Sequence, residues 1–505
     1  MTVPSEDSIA HETAPASPHD TGITRRHVVG LGLIGGLTIA GLSSCAMIPQ
    51  ASAPVPDGWM PQANPMPFPT DYIWGAATSA FQVEGSTSVD GRGPSIWDTF
   101  AAEPGRIRGG ATGDPGADHY NLWKDDLELM SQLGLGAYRF SIAWPRIQPT
   151  GSGAVNQRGI DFYRRLVDGL VERGIRPGIT LYHWDLPQAL QDRGGWPNRD
   201  TAYRFADYAS IMFDALGDVD ADWFTINEPK TTAYVGHRWG SHAPGIADND
   251  AAAAAVHHQL LGHGLAVQRF RASGAIGRIG IALNLTPLYP VGDTSVEATA
   301  RVDASENRLF LDPVLLGSYP KDAIGAQGGM LGANVKDFRA LVLDGDLAIT
   351  STPCDLLGVQ YYGAAGVDFS GNQVGMFPTS NANWQQVHPE GLYDLLTRLR
   401  DDYPAIPLVI TENGMPDESS SVTVDDPYRV TFLRDHFIQA SRAISDGVPL
   451  IGHYVWSLLD NFEWAEGYEQ RWGIVAVDFE TQKRTFKRSA TFYKKVIATN
   501  AVPTT

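Results

Sequence analysis

Eight short apolar runs, spaced along the chain by amphipathic segments, constrain its fold more than any other feature. They are Tyr72–Gly75, Ala137–Ile142, Arg176–Tyr182, Ala221–Ile226, Ile279–Leu283, Asp355–Val359, Pro407–Ile410 and Ile451–Val455. Helical periodicity fills the gaps, as near residues 158–173, ending at Gly174, and near 201–216. Runs that are short and apolar throughout read as strands buried on both faces, which is the habit of a parallel sheet covered by helices. Eight of them predict an α/β fold, a single (β/α)8 TIM barrel over residues 67–505. A doubly wound sheet is the rival, but no glycine-rich phosphate loop opens any of the helices. With 43% apolar and 19% charged residues, the chain can build a large core, and global disorder is excluded.

The first 45 residues read as an address rather than as fold. Residues 1–24 are polar and aperiodic, and Arg25-Arg26 then precede a glycine-diluted apolar stretch from Val28 to Leu42. Those fifteen residues are too few to span the ~30 Å hydrocarbon core as a lasting helix. Paired arginines before such a stretch resemble a twin-arginine export signal, and Leu42-Ser-Ser-Cys45 resembles a lipobox with Cys45 as the lipidated residue. Residues 46–66, rich in Pro and Ala, read as a tether. The expected location is therefore the outer face of the cell membrane, as a lipoprotein held through Cys45, or else periplasmic or secreted. Cys45 and Cys354 are the only cysteines, so no disulfide framework exists. A net charge of −19 repels phosphate backbones, so nucleic acid is not an expected partner.

The strand ends carry the chemistry. In a barrel the C-terminal ends of all eight strands converge on one rim, where active sites sit. Here those ends are polar or aromatic: Gln82 after the first, Arg139 within the second, then His183-Trp184, Asn227-Glu228, Tyr361-Tyr362, Glu412-Asn413 and Trp456. Glu228 and Glu412 are 184 residues apart in sequence, yet the fold brings both to that rim. Two facing carboxyls are what cleavage of a glycosidic bond requires, one to protonate the leaving oxygen and one to meet the oxocarbenium-like centre.

These residues lie in long motifs that resemble the family 1 glycoside hydrolases of the β-glucosidase type. Trp74-Gly-Ala-Ala-Thr-Ser-Ala-Phe-Gln-Val-Glu-Gly85 is similar to the family's N-terminal signature, and Thr225-Ile-Asn-Glu-Pro229 to its acid/base motif. Ile410-Thr-Glu-Asn-Gly414 is similar to the nucleophile motif, and Trp456-Ser-Leu-Leu-Asp-Asn-Phe-Glu-Trp464 to the sugar-binding loop. The resemblance implies that Glu412 is the nucleophile, kept ionised by Arg139 and Tyr362, which are expected to hold its pKa down, and that Glu228 is the acid/base. It implies that Asn227 bonds the sugar 2-hydroxyl, and that Gln82, His183, Glu463 and Trp464 bond the others. It places Trp456 against the apolar face of the sugar and counts Trp184, Tyr362 and Trp472 among the substrate-binding residues. Glu463 would repel a 6-phosphate, so unphosphorylated sugar is expected. Two departures stand out: Gln360 replaces the family's usual Asn, and Trp472 replaces a common Phe, narrowing the site near the 6-hydroxyl. Segments 364–390 and 240–250 are expected to border the leaving-group side.

The implied activity is retaining, exo-acting hydrolysis of terminal β-glucosyl residues through a covalent glycosyl-enzyme. The substrate is a small β-glucoside or oligosaccharide, with neither metal nor organic cofactor required. His257, His258 and His263 share a helix, but their spacing does not align metal ligands. Two other readings stay open here: a transglycosylase using the same residues, and a sugar-binding lipoprotein with dead catalysis. The sequence leaves oligomeric state undecided.

Overall fold

The computed structural model describes residues 66–324, 338–417 and 423–503. The export signal, the lipobox with Cys45 and the tether as far as residue 65 lie outside the described residues. Met66, the last residue given to the tether, belongs instead to a two-residue strand, because Met66–Pro67 pairs antiparallel with Ala501–Val502.

The eight expected runs each overlap one strand of a closed, all-parallel barrel. The strands are β1 (Ile73–Ala77), β2 (Ala137–Ser141), β3 (Arg176–Tyr182), β4 (Ala221–Asn227), β5 (Gly277–Asn284), β6 (Leu356–Gln360), β7 (Leu408–Glu412) and β8 (Leu450–Trp456). Neighbours follow chain order around the ring, and β8 closes it by pairing with β1, Gly452 opposite Ile73 through Trp456 opposite Ala77. Four of the strands are buried along their whole length, which explains why they read as continuous apolar runs rather than as alternating ones.

Helices cover the outside for reasons visible in their spacing. The Gln157–Val171 helix buries Phe162, Tyr163, Leu166, Val167 and Leu170, the i, i+1, i+4, i+5 and i+8 positions of one stripe. Gly174, at φ 68°, then turns the chain toward β3. Inside the ring a separate apolar cluster holds Ala77, Ala137, Phe224, Ala282, Leu356, Val409 and Tyr454. Gly75 on β1 is required there, since a Cβ would come within 2.5 Å of the Tyr454 ring. The long Asn249–Ser273 helix is buried along much of its length, and its histidines use their nitrogens on protein partners. His257 pairs with Asp346 at 2.9 Å, His258 with the Trp196 carbonyl at 3.0 Å, and His263 with Thr225 at 2.7 Å.

Candidate active site

A cavity of about 760 Å³ opens at the C-terminal ends of the strands, a volume suited to a small ligand. Its wall brings together His183, Trp184, Glu228, Tyr362, Glu412, Trp456, Glu463, Trp464 and Trp472, nine of the residues singled out from sequence. Gln82, Asn227 and Arg139 stand behind that wall, each fully buried. Gln82, expected to bond a sugar hydroxyl, donates through its amide to Asn461 Oδ1 at 3.1 Å and to the Phe462 carbonyl at 2.9 Å, fixing the segment that carries Glu463 and Trp464. The segments expected at the cavity border do reach it, through His242, Gly371–Gln373 and Trp384–Gln386.

Backbone geometry marks the rim as well. Trp184, Glu228 and Trp464 each hold a positive φ, of 76°, 45° and 48°. Side chains larger than glycine avoid that region unless the surrounding structure over-determines it, and such residues cluster at functional sites. Just after Glu412, Gly414 passes so close to Trp456 that a Cβ would lie 1.9 Å from the Trp456 carbonyl oxygen. The nucleophile motif therefore needs glycine at this position.

Glu412 ends β7 and is gripped by three donors. Arg139 Nη1 donates to Oε1 at 2.5 Å, Gln360 Nε2 to Oε1 at 2.8 Å, and Tyr362 Oη to Oε2 at 2.7 Å. The same Arg139 and Gln360 donate to Asn227 Oδ1, at 2.5 and 2.6 Å, so one network orients both strand ends. Gln360, a departure from the family pattern, spans Glu412 and Asn227 with its longer amide, and Tyr362 is bonded to the carboxylate beside it. Asn227 Nδ2 then faces His183 Nε2 at 3.1 Å. With Oδ1 committed to two donors, the Asn227 amide must donate, so the neutral His183 carries its proton on Nδ1. Burial and the Arg139 charge hold His183 well below its usual range, in keeping with that neutral form. Nδ1 is buried and has no partner among the described residues.

The two carboxyls differ in their surroundings. Glu228 follows β4, accepts from Thr231 Oγ1 at 2.6 Å, and lies 3.4 Å from Asn284 Nδ2. Burial and the neighbouring Glu412 charge push it up to about 7, against the pull of Thr231, Lys230 and Asn284. Glu412 was expected to sit below its ordinary value. Burial instead raises it, while Arg139 and Tyr362 work to lower it. The correction is one of sign: full desolvation of the carboxylate outweighs a single guanidinium and a phenol. Both carboxyls are thus raised, but only Glu412 has a cation bonded to it, so Glu228 is the one to hold the proton. Glu463 is pushed well up by burial and by the charges of Glu412, Glu466 and Glu228.

Aromatic surfaces complete the wall. Trp184 and Trp464 stand 4.6 Å apart, and Trp472 packs edge-on against Tyr362 at 5.6 Å while stacking with Trp384 at 6.0 Å. Trp239 and Trp384 are exposed at the mouth. Sequence reasoning missed Thr231, Lys230, Asn284 and Glu306, all of which line the cavity. Thr231 and Lys230 had a signal in their closeness to Glu228; Asn284 and Glu306 had none.

Comparison with known proteins agrees with this geometry. The glycosyl hydrolase family 1 model matches residues 64–502. The chain is 44% identical over 447 residues to β-glucosidase A of Acetivibrio thermocellus, covering 86% of this chain and 98% of that protein. It is 42% identical over 464 residues to a bifunctional β-D-glucosidase/β-D-fucosidase of Bifidobacterium breve, covering 86% and 98%. Among solved structures, β-glucosidase from Thermotoga maritima in complex with noeuromycin superposes with a TM-score of 0.81 at 41% identity, over 87% of this chain and all of that one.

Proposed function

This chain belongs to glycosyl hydrolase family 1, and on that premise we propose that it is a retaining, exo-acting β-glucosidase working through Glu412 and Glu228. The observation that carries the reading is the pair of buried carboxyls in one cavity wall, one bonded to Arg139 and the other pushed up to about 7. Glu412 attacks the anomeric carbon while Glu228 gives its proton to the departing oxygen, leaving a glycosyl ester on Glu412. Esterification removes the Glu412 charge, so Glu228 loses one of the two influences that raised it and becomes a better base. Glu228 then takes a proton from water as the water attacks the ester, and the sugar leaves with its anomeric configuration kept. Arg139, Gln360 and Tyr362 position the nucleophile throughout. His183 and Glu463 supply polar groups for the sugar hydroxyls, with Trp456 and Trp464 as the apolar surface. The relatives, hydrolases by name, give no support to the transglycosylase or receptor readings.

The test is a set of initial rates on aryl β-glucoside, β-fucoside, β-galactoside, β-mannoside, α-glucoside and 6-phospho-β-glucoside. Release from the β-glucoside, with little from the 6-phospho substrate beside Glu463, is the expected result; an α-only response would refute the assignment. Export and lipidation at Cys45 form part of the same proposal, supported by the Arg25-Arg26 and Leu42–Cys45 motifs. Cys45→Ala should release the enzyme from the membrane fraction, and fractionation of both forms with the membrane would reject the anchor.

A further inference from the structure

One stretch of the cavity wall is built from a buried ion pair that the catalytic steps leave unused. Lys230 Nζ donates to Glu306 Oε2 at 3.2 Å, and the two residues are 8% and 5% exposed. Both line the cavity. Lys230 stands two residues beyond Glu228, and its charge acts on that carboxyl. Because Glu228 is the group that protonates the departing oxygen, this part of the wall faces the leaving group rather than the reacting sugar. Asn284 and Thr286 lie in the same wall.

The backbone here is irregular on both sides of the pair. Lys230 precedes a π-helical turn at Thr232–Arg238, and Glu306 sits within a second one at Ala304–Arg308. Tyr234 Oη donates to the Ser305 carbonyl at 2.9 Å and ties the two turns together. Such turns concentrate at functional sites, where they re-aim side chains.

The pair is also incompletely satisfied. An ammonium carries three donors, of which the pair uses one. Glu306 Oε1 has no partner among the described residues. A buried ion pair with unfilled hydrogen-bonding capacity contributes little to stability against an apolar replacement, so its value must lie elsewhere. A site built from such groups discriminates strongly in favour of ligands bearing hydroxyls, because a ligand without them leaves the groups unpaired.

We infer that Lys230 and Glu306 form a leaving-group subsite that recognises the hydroxyls of a saccharide in preference to an alkyl aglycone. This rests on the β-glucosidase reading above and narrows its substrate class to oligosaccharides. The test measures kcat/KM of the full-length enzyme on cellobiose and on hexyl β-glucoside, and follows their ratio. Both leaving groups are alcohols that need protonation, so any effect transmitted through Glu228 largely cancels. Replacing the pair together, Lys230→Met with Glu306→Leu, strands no charge and should lower the ratio about tenfold or more. Glu306→Gln, which conserves volume, should lower it about threefold and serves if the double variant does not fold.

A ratio unmoved in the variants would overturn the inference, as would a wild-type enzyme that cleaves hexyl β-glucoside but not cellobiose; either leaves the β-glucosidase reading standing. A wild-type enzyme that cleaves no β-glucoside would overturn both.

Discussion

Replacing Thr231 with valine should move the alkaline limb of the pH profile upward. Thr231 Oγ1 donates to Glu228 Oε2 at 2.6 Å, and it is the strongest of the influences that lower this carboxyl. The others that act on it are burial and the Glu412 charge, which raise it, and Lys230 and Asn284, which lower it. A hydrogen bond to a charged group contributes about 1.5–3 kcal/mol, and one pKa unit is about 1.4 kcal/mol. The protonated acid can also accept from the hydroxyl, and Thr231 is only half-buried, so the lower end applies, roughly one unit. Valine removes the donor while keeping the shape, so Glu228 should rise from about 7 toward 8.

The sign follows from the role. Glu228 must be protonated for the leaving group to depart, so kcat/KM falls as pH rises through its pKa. At pH 8 the protonated fraction grows from about one tenth to about one half, and kcat/KM relative to its plateau should increase about fivefold. The assay is kcat/KM against pH with an alkyl glucoside, whose departure depends on the proton. Thr231→Ser should restore the original limb. A limb that stays in place in Thr231→Val, or moves down, would refute the assignment of Glu228 as the acid.

Three further changes follow from the same geometry. Glu412→Gly should abolish hydrolysis, and added azide or formate should restore turnover by occupying the space of the lost carboxylate; undiminished activity in the variant would remove Glu412 from its role. Gln360→Leu breaks the bonds to Glu412 and Asn227 together, and kcat should fall about tenfold or more with KM little changed, read from steady-state kinetics. Gly414→Ala drives a methyl group into the Trp456 carbonyl and should destabilise the protein by about 1–3 kcal/mol, measured by denaturant unfolding alongside loss of activity.

Much of this was legible before any coordinates. The eight runs were readable because strands buried on both faces admit only apolar residues, and that constraint acts locally in sequence. Their ends were readable because a parallel barrel sends every C-terminal end to one rim, so Glu228 and Glu412 could be brought together across 184 residues. Contacts between side chains were another matter. Gln82 stood out near the site, but its bonds to Asn461 and Phe462 could not be read, since which way an amide points depends on neighbours from the loop after β8. The direction of the Glu412 shift was misread because the adjacent cation is visible in a motif while the extent of desolvation is not. Gln360 stood out in sequence as a departure, yet its two hydrogen bonds, to Glu412 and to Asn227, needed three strand ends in space. The Lys230–Glu306 pair joins residues 76 apart through two irregular turns, and no local pattern announces it.

The central claim is that Glu412 forms a covalent bond to the sugar. A 2-deoxy-2-fluoro β-glucoside with a good leaving group slows both steps but breakdown of the ester most, so the intermediate should accumulate. Mass spectrometry of the inactivated, proteolysed enzyme should then find one fluoroglucosyl unit on the peptide carrying Glu412. A label on the peptide carrying Glu228 instead, or complete turnover of the reagent without any trapped ester under rapid quenching, would contradict the account.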